Sequence, residues 1–395
     1  MVRDAGPSFF ARLKPPERFR RGPFGTGAFR SSLHSERTAA WLGLALGVLF
    51  IICFVTGLLS HLIQHPPAWF EWPSRPAGLY RVTQGLHVAT GLASIPVLLA
   101  KLWTVYPRLW SWPPVRDLLH LMERLSLFPL VAGSLFLLFT GVADIGLWYP
   151  WRFFFPAGHY SAAWITIGAM IVHIGAKATI IRTELNHKSD EHPAPSQGMS
   201  RRRFFALIAG VAGGVTLTTL GQTLRPLNPL ALLAPRRPDV GPQGFPVNKT
   251  ASGAGVLEDA RDPAYRLHVE GEVARPLSFS LAELQALPQH EATLPISCVE
   301  GWSASVRWRG VRVASLLALA GAAENAEVMI ESLQAVGLYR SSELNRIHAR
   351  DRDTLIALEV NGEPLHIDHG YPARLIGPNR PGVMQTKWVH RLVVL

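Results

Sequence analysis

Five apolar stretches, each about as long as a membrane-crossing helix, constrain the fold of this chain more than any other feature. The hydrocarbon core of a bilayer is about 30 Å thick, and a helix needs about 20 residues to cross it. A backbone inside lipid must satisfy its own hydrogen bonds, so each stretch is predicted to be helical. The five stretches are residues 38–62, 79–103, 125–147, 160–181 and 204–220.

The final part of the chain differs in character from these stretches. No comparable apolar run follows residue 224, and the remainder is rich in turn residues and about the size of one compact domain. We therefore predict a multi-domain protein with an all-α transmembrane four-helix bundle, a fifth anchor helix and a mixed final domain. The predicted parts are an N-terminal segment (1–37), the bundle (38–185), a linker (186–203), the fifth helix (204–224) and the final domain (225–395).

Basic residues predict the orientation of the spans. Arginine and lysine collect on the cytoplasmic side of membrane helices, so the N-terminus is predicted to be cytoplasmic and the final domain exoplasmic. The net charge of +11 is largely such a topology signal. The soluble part shows no basic stripe with interleaved aromatic residues, so no nucleic-acid partner is expected. The basic residues on the cytoplasmic side are Arg3, Arg12, Lys14, Arg18, Arg20, Arg21, Arg30, Arg37, Arg108, Arg116, Arg124, Arg182, Lys188 and Arg201 to Arg203.

The predicted linker ends in a motif with two interpretations. The sequence SRRRFFALIAG begins at Ser200 and places three arginines before an apolar stretch. It resembles the twin-arginine signal that exports proteins already folded around a cofactor. Alternatively, the arginines only anchor the fifth span on its cytoplasmic side.

Three histidines in the predicted spans are candidate haem ligands. A histidine inside a membrane is costly unless it has a partner or a function. His159 and His173 are fourteen residues apart, which puts them within about 40° of one helix face and about 21 Å apart along its axis. His87 enters the second span from the outer side at nearly the level of His159. The pattern predicts a bis-histidine haem between the second and fourth spans, and a hydrogen-bonded packing histidine is the alternative at each position.

This histidine pattern resembles the four-helix cytochrome b subunits of membrane-bound formate dehydrogenases and hydrogenases. In that family the fourth span supplies two haem ligands, and the second span supplies the outer partner. The resemblance implies one or two haem b groups, with an outer haem on His87 and His159. The family's inner ligand on the first span falls on Ala40. An inner haem on His173 therefore lacks that partner, and a single haem between His87 and His173 is the alternative.

Cys298 lies where a strand-like stretch meets a loop. The sequence ATLPISC alternates as a half-buried strand does, and VEGW follows it. Further upstream, Ser280 and Glu283 have the spacing of a capping box at the start of a helix. The second cysteine, Cys53, falls in the first span, so no intramolecular disulfide is expected. A buried inert thiol and a metal-binding thiolate both fit Cys298 taken alone.

The sequence around Cys298 and the end of the chain share one resemblance. The two stretches are YRLHVEGEVARPLSFSLAELQALPQHEATLPISCVEGW and TLIALEVNGEPLHIDHGYPARLIGPNRPGVMQTKWVHRLVVL. Together with the residues between them, from about residue 247 to 395, they resemble the molybdopterin-binding domain of the sulfite oxidase family. Positions of that family's closing motifs fall on Asn361, Gly362, Asp368, His369, Gly370, Pro372, Arg374, Gly382, Lys387 and Trp388. The resemblance implies an α+β domain that holds Mo-molybdopterin.

The resemblance also implies roles for single residues. Cys298 falls on the family's cysteine that binds molybdenum through sulfur. Tyr339 resembles the active-site tyrosine beside the metal, and an ordinary loop aromatic is the alternative for it. The residues implied to hold the pterin and its phosphate are His369, Arg374, Lys387, Asn248, Lys249 and Thr250.

The two resemblances predict a membrane-bound molybdopterin-dependent oxidoreductase of the bacterial cytoplasmic membrane. In this hypothesis haem b passes electrons between quinone and an exoplasmic molybdenum site, where a small oxo substrate such as an S-oxide is reduced. The organisation is also similar to a bacterial pair formed by a periplasmic molybdoenzyme that reduces protein methionine sulfoxide and a haem-containing membrane subunit.

Two other functions stay open at this point. Oxidation of sulfite or another small anion is the first, although VEGWSASVRW replaces the family's arginine-rich substrate loop. Arg307, Arg309 and Arg312, in and just after that segment, could still collect an oxyanion. Alternatively, Arg307 and Arg309 form the solvated face of a strand whose other face carries Val306 and Trp308. The second is a non-catalytic electron-transfer protein whose outer domain binds no cofactor.

Overall fold

The chain forms two units in the computed structural model, which describes residues 29, 31–110, 115, 118–186, 199–234 and 236–395. Most of the predicted N-terminal segment and most of the predicted linker lie outside the described residues. The first unit combines Met1–Val55 with His87–Thr216, and the second combines Thr56–Leu86 with Leu217–Leu395.

Five long helices cover most of the five apolar stretches. They extend past the stretches at several ends because polar residues can continue a helix that an apolar run has begun. All five are long and apolar enough to cross a membrane. The helices are α1 (Glu36–Gln64), α2 (Leu79–Val105), α3 (Leu118–Ile145), α4 (Phe155–Asn186) and α5 (Arg201–Leu220).

These helices expose large apolar side chains. Ile51, Phe128 and Ile171 are 50%, 76% and 64% exposed. Leaving such surface in water costs about 25 cal/mol per Å². Between α3 and α4, an added Cβ at Gly133 would lie 2.2 Å from the Thr166 hydroxyl, the close small-residue packing typical of helices in lipid. This chain therefore has the surface and packing of a membrane protein.

Two five-stranded sheets follow the helical region. The first sheet has the order β2-β1-β10-β5-β6, with β1 and β10 parallel, and the second has the order β3-β4-β7-β8, with β9 paired to β7. The domain is thus α+β, as predicted. The strands are β1 (Arg266–Gly271), β2 (Leu277–Ser280), β3 (His290–Ser297), β4 (Ser303–Arg312), β5 (Val328–Ser332), β6 (Ser341–Leu344), β7 (Leu355–Val360), β8 (Glu363–Pro364), β9 (Arg374–Ile376) and β10 (Val389–Val394).

Five short helices accompany these strands: α6 and α7 precede β1, and the other three lie between strands. The Ser280–Glu283 capping box is present and begins α8, since each side chain bonds the backbone of the other residue. Gly321 takes a left-handed conformation and ends α9. The helices are α6 (Ala251–Ala254), α7 (Leu257–Arg261), α8 (Leu281–Ala286), α9 (Val313–Ala320) and α10 (Arg346–Arg350).

The alternation of β3 and β4 places Cys298 inside a core. Leu294 and Ile296 of β3 and Trp308 of β4 are buried in one apolar cluster, and Cys298 and Trp302 belong to the same cluster. Cys298 comes directly after the last residue of β3. The prediction that Cys298 stands at a strand end is confirmed.

The segment between α1 and α2 and the start of α2 belong to the second unit and form four hydrogen bonds with Asn379. The Asn379 side chain accepts a hydrogen bond from the Tyr80 amide (2.7 Å) and donates one to the Pro73 carbonyl (2.7 Å). Its own carbonyl accepts from Trp72 Nε1 (2.9 Å), and its amide donates to the Ala77 carbonyl (3.0 Å). Asn379 is 1% exposed and has a φ of 55°, a left-handed conformation that asparagine tolerates well. One buried residue therefore fastens this segment to the domain.

We expect Asn379→Ala to destabilise the second unit by about 2–3 kcal/mol, because it removes two buried side-chain hydrogen bonds and leaves their partners unsatisfied. The thermal unfolding midpoint of the detergent-purified protein would fall. Asn361→Ala is the matched control, because Asn361 also has a left-handed φ of 53° but is exposed. Equal losses in the two variants would contradict the role of the buried contacts.

Candidate functional site

Cys298 begins a tight turn between β3 and β4. Its amide donates to the Trp302 carbonyl (2.9 Å), and the Gly301 amide donates to the Cys298 carbonyl (3.1 Å). Gly301 has a φ of 97°, which favours glycine at this point of the turn. The Cys298 residue is 2% exposed.

A small cleft opens at Cys298. It brings together five of the residues that the sequence implied for the cofactor, although they come from widely separated parts of the domain. Asn248 and Cys298 come earlier in the domain. The three basic residues His369, Arg374 and Lys387 come near the end of the chain. The residues that line the cleft are Pro246, Asn248, Ile296, Cys298, Trp302, His369, Arg374, Gly382 and Lys387.

Pro246, Ile296 and Trp302 line the cleft but were absent from the predicted site. Trp302 lies four residues after Cys298, and its Nε1 donates to Glu300 (3.1 Å). The resemblance covered Ile296 and Trp302, and Pro246 lies just before it. A lining role for all three depends on how β3, its following turn and the chain before α6 meet. No local sequence pattern carries that information.

Three other predicted site residues do not line the cleft. The Lys249 ammonium donates to Gln334 Oε1 (2.7 Å) at the surface. Thr250 caps α6 by accepting from the Gly253 amide (3.0 Å). The Tyr339 hydroxyl donates to Gln64 Oε1 (3.1 Å). The Lys249 carbonyl nonetheless accepts from Lys387 Nζ, so the 248–250 loop reaches the cleft through its backbone.

Two buried cations give the cleft a basic wall. Arg374 is 3% exposed, donates to the His369 carbonyl (3.0 Å) and keeps a buried Nε without a hydrogen-bond partner in the described chain. Lys387 is 8% exposed and donates to the backbone carbonyls of Lys249 and Asp368. Among the described residues, neither cation forms a salt bridge with a carboxylate. Burial of a charge without a counter-charge is costly, so this wall is suited to an anion.

Burial alters the protonation of the basic side chains at the cleft. It lowers the pKa of Lys387 to about 6, helped by the charge of Arg374. It lowers the pKa of Arg374 to about 9 and that of His369 to about 3. His369 is therefore neutral near pH 7. Because a carbonyl only accepts, its Nε2 carries the proton donated to the Pro242 carbonyl (2.7 Å), while its ring stacks on Phe245 at 3.7 Å.

In the first unit, the structure brings His87 and His159 together. Their ring centroids are 6.4 Å apart with an interplanar angle of 67°. His87 Nδ1 lies 2.8 Å from the Cys53 carbonyl, and His159 Nδ1 lies 2.9 Å from the Thr140 hydroxyl. A metal-binding histidine typically uses one ring nitrogen for such a second bond, which fixes the ring orientation and leaves the other nitrogen for the metal.

His173, on the same helix as His159, has a different environment. Its Nδ1 is buried and has no hydrogen-bond partner within the described ranges. The rings of His61 and His65 lie 5.0 Å apart near the end of α1, tilted by 50°. The structure therefore brings His87 close to His159 and not to His173, and a haem at either position stays a prediction.

Comparison with known proteins identifies the part of the chain that carries most of the cleft. Residues 254–395 match the family model described as the oxidoreductase molybdopterin binding domain. Mouse mitochondrial sulfite oxidase is 32% identical over 161 residues, which cover 34% of this chain and 30% of the mouse protein. This part of the chain is a molybdopterin-binding domain of the sulfite oxidase family.

Two further similarities accompany this match. The putative protein-methionine-sulfoxide reductase subunit YedZ1 of Azospira oryzae is 31% identical over 150 residues, which cover 38% of this chain and 56% of that protein. The crystal structure of the sulfane dehydrogenase SoxCD from Paracoccus pantotrophus is 29% identical, covering 40% of this chain and 43% of that chain, with a TM-score of 0.34. This chain spans less than two thirds of the length of each of these proteins.

The cleft of the molybdopterin domain fits the group that the family binds. A thiolate is a ligand that soft metal centres accept, and the buried Cys298 thiol lines the cleft. The pterin phosphate is an anion, and Arg374 and Lys387 offer donors for it, including the Arg374 Nε that has no hydrogen-bond partner among the described residues. The chemistry of this donor set therefore matches Mo-molybdopterin.

We expect the cofactor-free protein to become more stable as the pH rises from 6 to 8. Unfolded Lys387 stays protonated up to about its ordinary pKa of 10.5, whereas the folded residue releases its proton above about 6. The unfolded state then binds more protons, so the free energy of unfolding rises by up to about 1.4 kcal/mol per pH unit and is lost as the pH falls towards 6.

The measurement is thermal or chemical unfolding at pH 6, 7 and 8 of protein made without molybdopterin. Lys387→Met should flatten the slope, and Lys249→Met should leave it unchanged because Lys249 is exposed. An equally steep slope in Lys387→Met would refute the prediction. Loading with the cofactor should also flatten it, because the phosphate keeps Lys387 protonated.

Proposed function

We propose that this chain is a membrane-bound molybdopterin-dependent oxidoreductase that exchanges electrons with the quinone pool through b-type haem. The observation that carries the proposal is the cleft, which joins the Cys298 thiol to two buried cations that no described carboxylate balances. When bound, Mo-molybdopterin supplies two-electron oxygen-atom transfer, and haem b relays electrons one at a time.

The residues of the cleft have distinct tasks in this proposal. Cys298, as the thiolate, provides a sulfur ligand for the metal. Arg374 and Lys387 donate charge-assisted hydrogen bonds to the phosphate of the pterin, and binding of that anion restores the charge that burial removes from Lys387. The neutral His369 is held by Phe245 and the Pro242 carbonyl, so it offers a fixed ring at the same wall.

His87 and His159 are the proposed haem ligands. Each uses Nδ1 for a hydrogen bond, so Nε2 is the nitrogen assigned to iron in both. The two rings lie 6.4 Å apart between their centroids, so both could hold one haem iron. One haem b between α2 and α4 is therefore favoured, and a second haem on His173 is the alternative.

The proposed substrate is a small neutral oxo compound such as an S-oxide, which would be reduced. Pro246, Ile296 and Trp302 give part of the cleft an apolar wall. Arg307 is exposed and Arg309 pairs with Glu359 at 2.6 Å, which supports the solvated strand face rather than an oxyanion site for both. YedZ1, by its name a putative protein-methionine-sulfoxide reductase subunit, supports the same substrate class.

The proposed location is the bacterial cytoplasmic membrane, with the N-terminus cytoplasmic and the molybdopterin domain exoplasmic. The five apolar helices and the distribution of basic residues support it. An exoplasmic cofactor requires either export of the loaded domain or loading outside, so the arginines at the start of α5 are proposed as a twin-arginine-like export signal.

Oxidation of sulfite with electrons leaving to quinone is the second candidate. The 32% identity to sulfite oxidase supports it. A membrane electron-transfer protein with a cofactor-free outer domain would lack molybdenum altogether, so metal analysis distinguishes this class from both enzyme hypotheses.

The test uses detergent-purified protein reconstituted with a quinone. Molybdenum and haem content are measured first, followed by quinol-dependent reduction of dimethyl sulfoxide and methionine sulfoxide and by sulfite-dependent reduction of quinone. We expect molybdenum, b-type haem and S-oxide reduction. Sulfite-dependent quinone reduction alone would replace the leading direction by the second candidate, and haem without molybdenum would refute both.

A further inference from the structure

The turn that follows Cys298 is held by residues next to the membrane helices. Gln84, in the first turns of α2, donates from Nε2 to the Val299 carbonyl (2.7 Å). Thr223, three residues after α5, donates from its hydroxyl to the Gly301 carbonyl. These two side chains bind alternate carbonyls of the turn, and all four residues belong to the second unit.

Two further contacts hold the same turn. The Ser303 amide donates to the Gln222 carbonyl (2.8 Å). Arg236 Nε forms a salt bridge with Glu300 Oε2 at 3.2 Å, and the Glu300 side chain is 9% exposed. Of residues 299 to 303, four therefore bind a residue from the start of α2 or from the chain after α5.

These contacts are buried and closely packed. Gln84 and Thr223 are each 6% exposed, and Gln222 is 1% exposed. An added Cβ at Gly85 would lie 3.0 Å from Thr223 Cγ2, so the start of α2 and the chain after α5 meet with little spare space. Buried hydrogen bonds in such a site are costly to lose.

Backbone hydrogen bonds within the turn connect the residues that form these contacts to Cys298. The Cys298 amide donates to the Trp302 carbonyl, and the Cys298 carbonyl accepts from the Gly301 amide. Trp302 also lines the cleft and donates to the carboxylate that Arg236 binds. A displacement of residues 299–303 would therefore displace the backbone of Cys298.

We propose that Gln84, Thr223 and Arg236 are positioning residues that fix the orientation of Cys298 in the cleft. The inference rests on the proposed function, because it assumes that Cys298 binds molybdenum. Partners outside the ligand set orient a metal ligand and tune the metal, and their loss typically changes affinity or activity by about 10–100-fold. In this chain these partners come from the start of α2 and from the chain after α5. The molybdenum site would therefore depend on the segments that join it to the long helices.

The experiment compares Gln84→Met and Thr223→Val with the wild type in full-length protein in detergent. Thr83→Val is the matched control, because Thr83 also donates to a backbone carbonyl of α2, that of Tyr80 (3.0 Å). Hydrogen exchange of the amides of residues 299–303 is measured on cofactor-free protein. The molybdenum EPR spectrum and the midpoint potential are measured on loaded protein.

We expect exchange in residues 299–303 to be roughly tenfold faster in both variants. The molybdenum EPR spectrum should shift in both, and Thr83→Val should match the wild type in each measurement. A Thr223→Ser variant keeps the hydroxyl and should restore the wild-type spectrum.

Normal molybdenum content with an unshifted spectrum in Gln84→Met and Thr223→Val would overturn this inference alone. Unchanged exchange in residues 299–303 would overturn it as well. Absence of molybdenum from the wild type would instead overturn the proposed function, and metal analysis would reveal that before any variant is compared.

Discussion

Cys298→Ser is expected to lower the rate of oxygen-atom transfer by more than about 100-fold, beyond the 10–100-fold typical of a partner outside the ligand set. A serine hydroxyl stays protonated near pH 7 and is a poor ligand for a soft metal centre, whereas a thiolate is a good one. The change of one atom preserves the volume of a side chain that is 2% exposed. The turn hydrogen bonds of Cys298 use its backbone, so the fold should persist.

Three measurements check this expectation. Viologen-driven reduction of an S-oxide gives the rate, metal analysis gives the molybdenum content, and molybdenum K-edge absorption counts the sulfur neighbours, which should fall by one. Cys53→Ser is the matched control and should keep the wild-type molybdenum edge and viologen-driven rate. A wild-type rate and an unchanged sulfur count in Cys298→Ser would remove Cys298 from the ligand set.

His87→Ala and His159→Ala are each expected to remove most of the b-type haem and to abolish quinol-driven turnover. The proposed haem would lose one of the two histidines that hold it in either variant. Alanine also removes the bond to the Cys53 carbonyl or the Thr140 hydroxyl. Viologen-driven S-oxide reduction should survive, because viologen delivers electrons without the haem. The two variants should therefore separate electron supply from the chemistry of the molybdopterin domain.

The haem content is measured from the pyridine haemochrome spectrum. His65→Ala is the control, because His65 is exposed at the end of α1 and should retain the wild-type spectrum. His173→Ala tests the number of haems: full haem content supports a single group on His87 and His159, and a loss of half supports a second one. Wild-type haem in His87→Ala would contradict the proposed ligand pair.

The cleft shows why some site residues were predicted from the sequence and others were not. Cys298, His369, Arg374 and Lys387 stand in motifs of a known domain, and all four line the cleft. Tyr339 was also placed by resemblance, but its hydroxyl bonds to Gln64, and it is not a lining residue. A shared motif shows which residue of this chain corresponds to a family residue. The direction of a loop side chain depends instead on the neighbouring residues of this chain.

No sequence pattern predicted the contacts of the turn after Cys298 or the hydrogen bonds of Asn379. Gln84 and Thr223 look like ordinary polar residues at helix ends, and Asn379 lies among turn residues. Each contact joins residues more than 70 positions apart in the chain. Such pairs come together through chain closure over long loops, which no local period or spacing encodes.

The sequence by itself determined the features that depend on local chemistry. Apolar runs about 20 residues long specify helices because a backbone in lipid must bond to itself, and the alternation of ATLPISC specifies a strand that ends at Cys298. Tertiary structure alone decided three features of the sites: the burial of Arg374 with an Nε that has no partner among the described residues, the lowered pKa of the buried Lys387, and the Nδ1 bonds of His87 and His159. Burial and partners set the charge and the direction of a side chain, and both arise only when distant segments pack together.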